Sequence, residues 1–453
     1  GASMTFAELV ALLQEEGVRC VELRAVDLWG RLRGLTIPAE SLTEEMVREG
    51  VGVDGAHYGL AQTEESDWVI LPDLDAVYMD PLAEPPAVLI LCDLGRPGEG
   101  ASPLSPRTVA AAAERFLRDA GIAQEARFSV ELEFYLFDEV HVADNALAQG
   151  VEILPVEGQV DLWGNALPGA RSAYHATSVA DAGKAVRDRV VEILTRWGIP
   201  VRYHHHETGG LGQMEIELGL GTLKAAADWT VLAKDLIARV AAEEGLVACF
   251  LPKPLYDQPG NGLHVHQCLV GSKGNLFGGE EGLSELGLAY IGGLLAHGRA
   301  LSALVSPSTN SYRRLRPGFE APVELFFGQA DRTAAVRIPG YLKPEKVRVE
   351  YRPPDPTCNP YLALAACLMA GIDGIRQGID PVARGWGPGR KKRVPLLPRS
   401  LEEALEALRR DHDFLTVGGV FPEELLELWL EGKAKEAEEV AARPHPYEFR
   451  LYA

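Results

Sequence analysis

The sequence predicts an α+β chain in which a small sheet-rich domain precedes a large domain of mixed helices and strands. Three observations carry that expectation. At 453 residues the chain is too long for one typical domain and can bury a large core. A Gly-, Pro- and Ser-rich stretch over residues 95–105 separates two regions of different patterning. Beyond it, few helix and strand signals follow each other with the regular spacing of a parallel wound sheet. The boundary is placed there, giving domains of residues 4–104 and 105–453.

Taken in order, residues 1–3 ahead of Met4 read as an expression remnant. Thr5 and Glu8 have capping-box spacing before an apolar-periodic run that ends near Gly17, which predicts a short helix. Residues 18–26 and 32–37 are strand-like and flank a Trp29-Gly30 turn; residues 68–71 and 88–92 add two further strands. The small domain is thus expected to hold a sheet and one helix. Ser105-Pro106 offers an N-cap and a first-turn proline for a helix to about Asp119. After it, helical patterns at 180–197, 222–244, 361–377, 401–411 and 422–442 alternate with strand-like runs at 127–137, 201–205, 246–251, 264–269 and 346–351.

Composition narrows the function. Lys plus Arg number 44 against 65 Asp plus Glu, a formal charge of −21, which opposes the phosphate neutralisation that nucleic-acid binding needs. The longest apolar stretch, around residues 361–372, falls short of the roughly 20 residues of a membrane helix. Neither nucleic acid nor membrane is expected as a partner. The six cysteines (Cys20, Cys92, Cys249, Cys268, Cys358, Cys367) are scattered without a CxxC pair, as for reduced thiols, and no secretory leader is evident, so a cytoplasmic protein is expected.

Four short patterns bear chemistry. Glu131 and Glu133 stand on one face of the strand-like run FSVELEFYLF, where two carboxylates repel unless a cation lies between them. Alone, such a pair is more often a solvated face. His204-His205-His206-Glu207 and, after a Gly209-Gly210 turn, Gln213-Met214-Glu215 supply further ligands or merely a polar loop. His264-Val265-His266 repeats the same-face spacing with imidazoles, which suits core packing as well as a metal. Arg348, Glu350 and Arg352 alternate along one strand face, an ion-pair ladder when taken singly. Together they change meaning: Glu and His without thiolate suit Mg²⁺ or Mn²⁺ rather than structural zinc. Arginines at 313, 314, 316, 332, 337, 348 and 352 concentrate cations in an acidic chain. Metals beside guanidiniums are equipment for phosphoryl chemistry on an anionic substrate.

At these residues the chain resembles the type I glutamine synthetase family, from about Val18 to its end. The family's GxExEF appears as SVELEF, its HHE-x5-GQxE block as HHETGGLGQME, and its NGxGMHxHxS block as PGNGLHVHQC. NSYKRLxPGYEAP appears as NSYRRLRPGFEAP and RIEVRxPDPxxNPYL as RVEYRPPDPTCNPYL. The family's DGSS followed by ESD is echoed by Asp54-Gly55-Ala56-His57 and Glu65-Ser66-Asp67. Residues 139–171 match least.

The resemblance implies a β-grasp N-terminal domain, a catalytic domain whose curved antiparallel sheet forms a bifunnel, and two stacked hexameric rings. It implies an ATP-dependent ligase: the glutamate γ-carboxylate forms γ-glutamyl phosphate, which ammonia or an amine attacks. It assigns one divalent ion to Glu133, Glu207 and Glu215, and a second to Glu131, His264 and Glu350. Arg314 and Arg352 would hold glutamate's carboxylates and the Gly260 backbone its amino end, while Arg332, Arg337 and Arg348 would hold nucleotide phosphates, with His266 and Cys268 beside them. Asp54 corresponds to the proton-accepting acid, contributed to a neighbouring subunit's site; Tyr174 is its helper, and Glu320 the glutamate of a closing flap.

Four departures stand out. Pro259 replaces the asparagine usual before the substrate-binding glycine, and His57 replaces the second serine of DGSS. Family members that ligate alkylamines share the PGNG pattern, so a primary amine is the expected acceptor and ammonia the alternative. Cys268 stands where serine is usual. The loop at 383–395 lacks the family's adenylylated tyrosine, and its Arg390 to Arg393 cluster reads as a solvated loop. A catalytically inactive scaffold, or a ligase for another acid, would be the rival readings.

Overall fold

The computed structural model describes residues 3–61, 65–158, 163, 173–280, 282–340, 343–389 and 393–453. The opening helix Phe6–Glu15 forms where Thr5 caps it, the hydroxyl accepting from Glu8 N at 3.1 Å. Strands Cys20–Val26 and Leu32–Pro38 pair antiparallel across the Trp29-Gly30 turn. The first of them lies parallel to Ala87–Arg96, and the sheet continues through Asp67–Asp80 to Val51–Asp54. This is a β-grasp domain. Its described residues hold a second α-helix beyond the one expected: Glu44–Glu49 is only six residues long, too short to show a period, and is fixed by the Thr43 hydroxyl accepting from Met46 N. Asp67–Asp80 outruns the predicted segment because its ladder shifts register between Pro72 and Val77, which breaks the two-residue alternation.

Helix Pro106–Asp119 begins as expected, but the Ser105 hydroxyl does not cap it; it accepts from Leu94 N at 3.2 Å and so ties the helix to the small sheet. The next residues fasten the two regions more firmly. Buried Arg107 donates to Asp228 at 3.0 and 2.9 Å, to Asp93 at 3.1 Å and to Asp73 at 3.0 Å. Asn359 caps the buried helix Pro360–Gln377 with its carbonyl, while its amide donates to Asp27 O at 3.2 Å and Leu28 O at 3.0 Å. Trp29 stacks on Trp429 of helix Glu423–Ala441, centroids 5.5 Å apart.

The large sheet runs in the order Glu324–Gly328, Ala334–Arg337, Val349–Tyr351, Leu263–Gly271, Glu125–Asp144, Gln213–Leu218, Val201–His206. All neighbours are antiparallel except the first two. It is the curled sheet of the catalytic domain. Alternation divides its faces: Val130, Leu132 and Phe134 enter the core with Leu263, Val265 and Ile216, and the opposite face carries the acids and histidines. Helices Lys184–Arg196, Leu223–Glu243, Leu401–Arg410 and Glu423–Ala441 stand close to their predicted places. Two others were not foreseen, Glu285–Ala296 and Gly298–Val305, bent by 73° at His297. They are apolar nearly all round, so no amphipathic period marks them; at Gly293 a Cβ would come within 2.0 Å of Ala370 O on the buried helix. Among the described residues no single helix is long and apolar enough to cross a membrane.

Candidate active site

Register brings the acids and imidazoles together. Glu131 pairs across the sheet with His264 on one side and Glu217 on the other; Glu133 pairs with Glu215, which in turn pairs with His205. Of these, Glu131, Glu133, Glu215 and His264 line a cavity of about 400 Å³ that also takes in Tyr174, Glu207, Gly260, His266, Arg314, Glu320, Arg332, Arg337, Arg348, Glu350 and Arg352. Fifteen of the seventeen residues singled out from the sequence therefore meet in one place.

Glu131 bridges two imidazoles, with Oε2 2.9 Å from His264 Nδ1 and Oε1 2.8 Å from His266 Nε2. Burial works against its charge, but the two histidines hold its carboxyl well below the usual range. Glu350 is likewise held down to about 2 against burial, chiefly by the His264 hydrogen bond. Its two oxygens meet Arg352 at 3.1 Å and Arg337 at 3.0 Å. The ladder read from the sequence thus pairs Glu350 with Arg337 on the next strand in place of Arg348.

The other half of the cluster behaves oppositely. Burial, then the neighbouring Glu207, pushes Glu133 up to about 7. Glu215 is pushed well above the ordinary value by burial and by Glu131, Glu133 and Glu207. Buried carboxylates that cannot all ionise together are what a divalent cation relieves. Among the described residues, groupings with ligand atoms within 4.8 Å of one another include Glu131, His264 and Glu350, as expected, and His205, Glu207 and Glu215. The second grouping has His205 beside Glu207 and Glu215 and does not include Glu133, whose Oε1 accepts from Gly262 N at 2.7 Å. A third grouping, Glu131, Glu217 and His266, was not foreseen. Glu217 continues the two-residue alternation of Glu215, whereas His205 joins it only through register across the sheet. All-oxygen and imidazole donors fit Mg²⁺ or Mn²⁺.

The cationic side fits anions. The Nε atoms of Arg337, Arg348 and Arg352 are buried without a hydrogen-bond partner among the described residues. Arg314, 6 % exposed, is oriented by carbonyl groups of Arg352 at 3.0 Å and Pro353 at 2.9 Å. Gly262 admits it, since a Cβ there would lie 2.6 Å from an Arg314 nitrogen. The Gly260 carbonyl accepts from Gln213 Nε2 at 2.9 Å, and Pro259 is buried in the wall with its carbonyl accepting from Tyr135 at 2.7 Å. Tyr174 stacks on His175 at the rim, centroids 3.8 Å apart.

Two of the residues singled out lie elsewhere. Asp54 is exposed at the end of its strand, 3.6 Å from His57 Nε2, and neither lines the cavity. Cys268 shares the strand face of His264 and His266 but sits past the cavity opposite Arg127, its thiol raised by burial to about 11. Residues 390–392 of the basic loop lie outside the described residues.

The comparisons with known proteins agree in kind. The glutamine synthetase catalytic domain family matches residues 103–452 and the glutamine synthetase β-grasp domain family residues 17–97. The chain is 39 % identical to the glutamine synthetase of Aquifex aeolicus over 98 % of both chains. It is 37 % identical to the 3-hydroxylaminophenol mutase of Cupriavidus pinatubonensis over 99 % of both. Among solved structures it is similar to Plasmodium falciparum glutamine synthetase, with TM-score 0.90, 25 % identity and full coverage of both chains. It also resembles ligand-free GmaS, with TM-score 0.80, 26 % identity and 99 % coverage of both.

Proposed function

The chain belongs to the glutamine synthetase family and is an ATP-dependent glutamate–ammonia or glutamate–amine ligase, and from that premise we propose that its acceptor is a primary amine. One observation carries this reading: Pro259, with neither amide side chain nor N–H, is buried in the cavity wall, which it shares with Tyr174, Phe319, Ala321 and Pro339. The Pro259 ring offers a methylene chain an apolar contact at a position where an asparagine would offer ammonia hydrogen-bonding groups.

In this reading Arg314 and Arg352 hold glutamate's two carboxylates, and the free lone pair of the Gly260 carbonyl takes its ammonium. Arg332, Arg337 and Arg348 hold the ATP phosphates, with His266 and Cys268 beside the nucleotide. Glu133, Glu207, Glu215 and His205 would hold one divalent ion and Glu131, His264 and Glu350 another; bound there, they screen the repulsion between carboxylate and triphosphate. A γ-carboxylate oxygen attacks the γ-phosphorus and ADP leaves; the amine nitrogen then attacks the γ-carbonyl and phosphate leaves. Asp54 takes the proton from the alkylammonium with Tyr174 assisting, and Glu320 closes the site. Because Asp54 is exposed and outside the cavity of its own chain, it serves the cavity of an adjacent copy, in an assembly of two stacked hexamers.

Ammonia is the second reading, supported by relatives at 37–39 % identity that are themselves glutamine synthetases. An acceptor panel separates the two: kcat/KM for ammonia, methylamine, ethylamine, ethanolamine and polyamines, with the γ-glutamyl product identified by mass. Burial of about 0.8 kcal/mol per methylene predicts an alkylamine ahead by well over tenfold. Preference for ammonia by more than about tenfold, near 1.4 kcal/mol, makes the enzyme a glutamine synthetase proper.

A further inference from the structure

We propose that Lys253 is a positioning residue that latches the segment carrying Glu320 over the acceptor side of the cavity. The inference rests on the reading above, in which Glu320 closes the site and Pro259 faces the acceptor. Gly318, Phe319 and Glu320 all have positive φ, at 105°, 54° and 60°. Two successive non-glycine residues in that region are disfavoured, so the segment keeps this course only where its surroundings fix it.

Two cations do so. Arg352 donates to the Glu320 carbonyl at 2.9 Å, and the Lys253 ammonium lies 4.1 Å from the centroid of the Phe319 ring. Lys253 is itself held in place: its N–H donates to Asn310 Oδ1 at 2.7 Å, and Asn310 Nδ2 donates to its carbonyl at 3.1 Å. The same ammonium donates to the carbonyl of Gln258, the residue before Pro259. One charge therefore touches both the acceptor loop and the flap, and Lys253, Pro259, Phe319 and Glu320 all line the cavity. Closing those two walls on each other keeps water from the acyl phosphate. Water attacking the γ-carbonyl in place of the amine displaces the same phosphate and returns glutamate, so a loose latch consumes ATP without making amide.

The test is the ratio of phosphate released to amide formed in the full chain, with whichever acceptor it uses best, ammonia included. Lys253→Met and Phe319→Leu should each raise uncoupled phosphate release about tenfold, and the double variant no further than either single one. Lys253→Arg and Phe319→Trp should restore coupling to within about twofold, with KM for glutamate and ATP little changed throughout. Unchanged coupling in the two single variants, or effects that multiply in the double, overturns the latch. Should Lys253→Met fail to fold, the Phe319 pair decides: leucine uncoupled and tryptophan coupled supports it, both alike refutes it. A tightly coupled enzyme that prefers ammonia sinks the amine reading alone.

Discussion

Glu133 and Glu215 are direct cross-strand partners, two carboxyl groups on one face of the sheet, both pushed above the ordinary carboxylate range by burial. Removing one relieves the other but dismantles a ligand set. Glu133→Ala should therefore abolish turnover while leaving the metal-free Tm unchanged or higher, and should shrink the Tm rise that Mg²⁺ or Mn²⁺ gives the parent chain. Full activity after exhaustive chelation contradicts the metal reading.

Arg348 and Arg337 separate binding from structure. Arg337 is ion-paired to buried Glu350 at 3.0 Å, whereas Arg348 Nε has no hydrogen-bond partner among the described residues. Arg348→Ala should raise KM for ATP at least tenfold with Tm within about 1 °C of the parent. Arg337→Ala should raise KM for ATP and also lower Tm, because it strips a partner from a buried carboxylate. Equal Tm losses in both variants would show that Arg348 is structural.

The site was legible because its chemistry is written in two-residue alternation: ExE, HxH and RxExR each put their polar atoms on one face, and register then stacks them. What was missed follows from the same geometry. Glu217 extends the alternation from Glu215 yet carries no motif, and His205 lies inside a triplet whose facing residue only the sheet decides. Helices that are apolar beyond their first residue, such as Glu285–Ala296, lack the polar face that marks a helix in sequence. The tie between the two regions, Arg107 on three aspartates from three separate segments, is a long-range contact with no local signature.

Sharing of the site between copies predicts complementation. Asp54 lies on the small domain outside the cavity, while Glu350 lies within it. Asp54→Ala and Glu350→Ala chains, each inactive, should regain partial activity when mixed and reassembled, since some interfaces then carry both intact halves. A monomeric mass at micromolar concentration, or no recovery despite demonstrated exchange, counts against it.

The last prediction concerns pH and lies outside the active site. His297 occupies the bend between helices Glu285–Ala296 and Gly298–Val305. Its Nδ1 is 2.6 Å from Asp411 Oδ2 and its Nε2 2.6 Å from Asp373 Oδ2, with the ring stacked on Phe414. Burial lowers its pKa, but hydrogen bonds and charge from Asp411 and Asp373 outweigh that and raise it above the ordinary value. Only the protonated ring can donate at both nitrogens; the neutral ring turns a bare lone pair toward one carboxylate. Since the folded value exceeds the unfolded one near 6.5, this stabilisation is complete below about pH 6.5 and is lost as pH rises through the folded value. Arg376 and Asp413 share the cleft with His297. The Tm gap between the parent chain and His297→Gln, measured at fixed protein concentration, should therefore be largest near pH 6 and shrink by the equivalent of about 1–3 kcal/mol by pH 9. A gap that stays constant from pH 6 to 9 would mean that the imidazole is held neutral and the double ion pair does not form.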